Sequence, residues 1–118
     1  MKMQIPKRFT LQGVPIDVEI VDSLDSGNYG EFIDAKELIK IAKTVKVDKE
    51  VVHLSQAQIE NTFWHEVFHA FQWHVKGEYD ETEATSYAGL MVELLRSGQV
   101  KINPNEIVPD KPKIYDND

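Results

Sequence analysis

The spacing of apolar positions changes near Ser55, from runs that suit strands to runs that suit helices. Residues 9–24 read as two extended segments broken at Gln12-Gly13. In the second, Ile16-Asp17-Val18-Glu19-Ile20-Val21 alternates apolar with acidic side chains, as a strand with one wet face does. Asp25-Ser26-Gly27-Asn28 is a turn cluster. Segments 29–33 and 38–45 read as two further strands around a turn at 34–37, and 47–54 as a connection. Leu38-Ile39-Lys40-Ile41-Ala42-Lys43 also fits a short helix. A strand is preferred because a small antiparallel meander of three to four strands explains the spacing of all four segments.

Beyond Ser55 the pattern predicts two helices. Ser55 and Gln58 form a capping box for the first, which runs from about 56 to 74. Ile59, Phe63, Trp64, Val67, Phe68, Ala70, Phe71 and Trp73 cover most of its circumference, so it is expected to be buried on several sides. Gly77 is a left-handed helix stop within the break at 76–80. The second helix, 81–96, carries the stripe Ala84, Tyr87, Ala88, Leu90, Met91, Leu94 and Leu95 and closes at Ser97-Gly98. The expected organisation is one α+β domain, 1–98, with the meander packed on a helix hairpin, and an acidic, proline-containing tail, 99–118, that is loosely packed.

Composition narrows the function classes. A chain of 118 residues with 42% hydrophobic and 28% charged side chains belongs with globular proteins. A net charge of −7 and no basic patch argue against nucleic acid, and leave a peptide, a protein or a small molecule as partner. There is no cysteine, so any metal must be held by His, Asp or Glu. No apolar run reaches the length of a signal peptide core or a membrane span, and the expected location is cytoplasmic.

One stretch of the first helix carries chemistry: His65-Glu66-Val67-Phe68-His69. At about 100° and 1.5 Å per residue, histidines four apart lie one turn from each other and about 40° out of line, so both can hold one metal ion. Glu66 flanks the same face without having to bind, where a general base must stand to take a proton from water at the metal. H-E-x-x-H on a helix is the pattern of two zinc ligands and a metalloprotease base. The bland alternative is a histidine pair on an ordinary amphipathic helix.

A catalytic zinc usually takes a third protein ligand. His74 is turned about 140° from His69 on the same helix, and His53 precedes the helix cap, so neither is favoured. Of Glu78, Glu81 and Glu83, the last is preferred: in a hairpin of helices centred near Lys76, Glu83 faces His69 and Tyr87 faces His65. Glu83 also suits a capping box with Asp80. Glu81 is the next candidate.

His65-Glu66-Val67-Phe68-His69 followed by Glu83-Ala84-Thr85-Ser86-Tyr87-Ala88 resembles the short gluzincin zinc metallopeptidases, whose third ligand is a glutamate on the helix after the motif helix. The Glu-Ala-x-x-aromatic-Ala portion is similar to the ImmA/IrrE class of small bacterial and prophage enzymes. Small phage or prophage proteins with a strand meander and an HExxH helix look closest. The resemblance covers about 56–96 and implies one Zn2+ held by His65, His69 and Glu83, with Glu66 as general base in peptide hydrolysis. The sequence departs from the pattern in three ways. Only 13 residues separate His69 from Glu83, the meander replaces a helical start, and there is no downstream histidine to steady an oxyanion. Tyr87 or Tyr79 is the candidate for that task, and strand 38–42, if at the sheet edge, for pairing with an extended substrate. A non-catalytic binding module with a structural zinc is the alternative function.

Overall fold

A computed structural model describes residues 3–97 as an α+β fold. Strands β1 (Arg8–Leu11), β2 (Val14–Val21), β3 (Gly30–Ile33) and β4 (Leu38–Ala42) form one sheet, ordered β1-β2-β4-β3. β5 (Thr44–Val47) and β6 (Glu50–His53) form a separate antiparallel ribbon, and helices α1 (Gln56–Lys76) and α2 (Glu81–Ser97) follow.

The β1–β2 hairpin turns at Gln12-Gly13, whose φ angles of 51° and 84° match a two-residue loop of primed type. Two features depart from a simple meander. β4 enters between β2 and β3 and runs parallel to β2, Val18 opposite Ile39 and Ile20 opposite Ile41, which leaves β3 at the edge. The 38–45 segment also breaks at Lys43 into β4 and β5, and the expected connection at 47–54 contains β6. The tail at 99–118 lies outside the described residues.

Alternation sets the core. Ile16 and Val18 of β2 and Ile39 and Ile41 of β4 point to one face of the sheet and are buried with Phe63 and Ala70 of α1. At α1's start, Gln58 N–H donates to Ser55 Oγ and Ser55 N–H to Gln58 Oε1, the reciprocal cap read from the sequence. At its end Gly77, φ 70°, donates its N–H to the carbonyls of Gln72 and Trp73. α2 packs on α1 through fully buried Ala84 and Ala88 and a Phe68–Tyr87 ring stack, so α1 lies between sheet and helix. Buried Glu60 joins the two helices further along by accepting from Arg96 at 3.0 Å.

Gly30 lets the edge strand approach α1. A Cβ there would stand 2.4 Å from Thr62 Cγ2, 3.1 Å from the Lys40 carbonyl oxygen and 3.3 Å from Glu66 Cγ. Gly30→Ala is therefore expected to cost about 1–3 kcal/mol, the range of core overpacking. Adding Thr62→Ser, which removes the clashing methyl and leaves the Lys40 carbonyl, should recover part of the loss in denaturant unfolding. No recovery would mean that this contact is not the cause.

Candidate metal centre

α1 carries both histidines of the motif on one side, with Nε2 of His65 and Nε2 of His69 3.1 Å apart. The carboxylate that joins them belongs to Glu81, the first residue of α2. Its Oε1 is 2.9 Å from His65 Nε2 and its Oε2 3.1 Å from His69 Nε2. Burial pushes Glu81 up, but the two imidazoles outweigh it and hold the carboxyl below its ordinary pKa.

Glu83, the expected third ligand, lies elsewhere. Its Oε1 accepts from Gln72 Nε2 at 3.0 Å and from Lys76 Nζ at 3.4 Å. The register of the hairpin explains the difference. Helix pairing is centred between Gly77 and Glu78 and not on Lys76, so that Glu83 meets Gln72 and Tyr87 meets Phe68. Tyr87, expected opposite His65, thus stacks on Phe68 with ring centroids 4.5 Å apart and is not among the residues lining the cleft. Asp80 caps α2 by accepting from Glu83 N–H, and the next residue, Glu81, reaches the imidazoles from the very start of the helix. His74 is paired with Glu37 at 2.8 Å, His53 is exposed on β6, and Glu78 lies in the turn between the helices.

His65, His69 and Glu81 can hold a metal ion: among the described residues they offer ligand atoms within 4.8 Å of one another. Metal bonds of about 2.0–2.1 Å in a tetrahedral arrangement place ligand atoms about 3.3 Å apart. The observed separations of 2.9, 3.1 and 3.1 Å are within a few tenths of that. Two imidazoles and a carboxylate are a donor set suited to first-row divalent ions.

The group stands in the wall of a cleft of about 600 Å³, lined also by Tyr29, Gly30, Glu31 and Phe32 at the sheet edge, Asn61, Thr62 and Glu66 on α1, and Tyr79. Glu66 is only 6% exposed yet faces this cleft. Burial, then the charges of Glu81 and Glu31, push its carboxyl up to about 8. Tyr79 is the tyrosine against the histidine pair: its ring meets His69 edge-on, stacks on Trp73, and its hydroxyl donates to Asp34 Oδ2 at 2.8 Å.

Gln72 and Gly30 belong to the site without having been singled out from the sequence. Gln72 had a signal, as a lone amide in the apolar run Ala70-Phe71-Gln72-Trp73, while Gly30 had none beyond its residue type. Among the described residues no helix is long and apolar enough to cross a membrane. Comparison of the chain with protein-family models, curated proteins and solved structures gave no match.

Proposed function

We propose that the protein is a zinc-dependent metallopeptidase of the short gluzincin-like type, with His65, His69 and Glu81 as ligands and Glu66 as general base. The observation that carries the reading is the convergence of both motif histidines and a carboxylate from the next helix in the wall of an open cleft, with Glu66 facing the same space. A zinc ion bound there would lower the pKa of a water toward about 7 and polarise a peptide carbonyl.

The chain's own groups do the rest. Glu66 takes a proton from the attacking water and returns it to the leaving amine; a divalent cation beside it would offset the burial and the Glu81 and Glu31 charges that raise its carboxyl, and so favour the carboxylate a base needs. Tyr79, and not Tyr87, stands where a phenol can steady the developing oxyanion, once its hydroxyl turns from Asp34. β4 is interior, so an extended substrate would add to β3, the edge strand that lines the cleft. Apart from the ligand Glu81 and the base Glu66, the described lining residues include the carboxylate of Glu31 and no lysine or arginine, which favours a cationic side chain beside the scissile bond.

The test is metal analysis of purified protein followed by digestion of a mixed peptide library. About one zinc per chain is expected, with cleavage enriched beside Lys and Arg, abolished by a chelator and restored by zinc. Well under one zinc per chain, with no tighter folding on adding zinc, would remove the basis of the reading.

A further inference from the structure

Gln72 is 1% exposed and lies three residues beyond His69 on α1, and its carboxamide meets His69, the backbone of Asp80 and Glu83. The backbone of Asp80 fixes which way the amide points. Asp80 N–H, which can only donate, meets Gln72 Oε1 at 3.1 Å, and Asp80 C=O, which can only accept, meets Gln72 Nε2 at 3.1 Å. The second hydrogen on Nε2 goes to Glu83 Oε1 at 3.0 Å.

That orientation decides the state of His69. Gln72 Oε1 is 2.9 Å from His69 Nδ1, and since this oxygen can only accept, the proton between them sits on Nδ1. A neutral imidazole carries one N–H, so Nε2 keeps its lone pair, aimed at the point where His65 Nε2 and Glu81 Oε2 lie 3.1 Å away. A nitrogen lone pair and a carboxylate oxygen facing each other at that distance call for a cation between them, which is a proton in the metal-free protein and a metal ion in its place once one binds. In the opposite tautomer the Nε2 hydrogen would point into the site, and a metal would have to displace it.

We propose that Gln72 is a positioning residue of this centre: one carboxamide holds His69 in the tautomer that leaves Nε2 free to bind a metal, and grips Asp80 so that Glu81 is presented to the same ion. The proposal rests on the metal centre assigned above and adds a residue outside the ligand set. Outer partners of this kind commonly change metal affinity by about 10–100-fold when removed.

The experiment pairs long-range 1H–15N NMR of the His69 ring in metal-free protein, at a pH where imidazole is neutral, with zinc titration against a competing chelator. Wild-type protein is expected to show His69 protonated on Nδ1. Gln72→Met, which keeps length and volume but no amide, should retain the far-UV spectrum, lose the Nδ1–H preference and bind zinc about 10–100-fold more weakly. Gln72→Glu keeps the acceptor toward His69 but loses the donor to the Asp80 carbonyl, so it should keep the tautomer and still bind more weakly. If the methionine variant does not fold, the glutamate variant and the wild-type ring decide. Nε2–H in the wild type, or a folded Gln72→Met with wild-type tautomer and affinity, overturns the proposal. Wild-type protein that takes up no zinc instead overturns the peptidase reading, while the ring measurement still reports whether Gln72 sets the tautomer.

Discussion

Glu66→Gln is expected to bind metal as the wild type does and to hydrolyse peptide about 10²–10⁴-fold more slowly, the range for loss of a general acid–base group. The carboxamide has the shape of the carboxyl it replaces and lies in the same nearly closed place on α1, where burial already opposes a charge. The fold and both imidazoles should therefore be unaffected. The lost property is the ability to take a proton from water and pass it on. Zinc content and kcat/KM, measured on the same preparation, check this. If zinc serves only as a staple, as in the alternative of a non-catalytic binding module, the substitution would change neither. Retained hydrolysis in Glu66→Gln would remove this residue from the mechanism.

Glu81→Ala and Glu83→Ala are expected to differ sharply in metal affinity, although both glutamates lie in the first turn of α2. Glu81 spans both imidazole nitrogens with its two oxygens, so its removal takes away a ligand and should weaken binding by more than about 100-fold, beyond the usual effect of an outer partner. Glu83 touches Gln72 and Lys76, and its loss leaves Gln72 three of its four hydrogen bonds. A weakening of less than about tenfold is expected there, below the usual outer-partner range. Chelator competition on the two proteins side by side settles the ligand, and the reverse order would restore Glu83 to that role.

Local signals were legible where one residue's physics is enough. The Ser55–Gln58 cap, the left-handed stop at Gly77, the break at Gln12-Gly13 and the alternation that buries Ile16, Val18, Ile39 and Ile41 each follow from nearest neighbours and period. Order within the sheet is a different kind of fact. Nothing in the alternation of β4 says whether β2 or a later strand lies beside it, so the parallel β2–β4 pair was not visible. β6 was missed because all four of its residues are exposed and its turn, Asp48-Lys49, carries positive φ without a glycine to announce it. At the metal centre both histidines and Glu66 sit on one helix, where spacing alone brings them together. The candidate third ligand depends on how α2 begins: pairing centred between one and two residues later than expected turns Glu83 to Gln72, while Glu81 reaches the imidazoles from the first position of the helix, which mirroring positions about the turn does not foresee.

Because two ligand groups come from α1 and the third from α2, an ion in this centre is also a clasp between helices. Any species that binds the docked arrangement and not the separated one stabilises docking in proportion to its occupancy, by about 2.7 kcal/mol at a free concentration one hundred times its dissociation constant. The seam it would reinforce has two alanines and the Phe68–Tyr87 stack at its middle. Metal supply in the surroundings would then set how firmly the two helices stay docked.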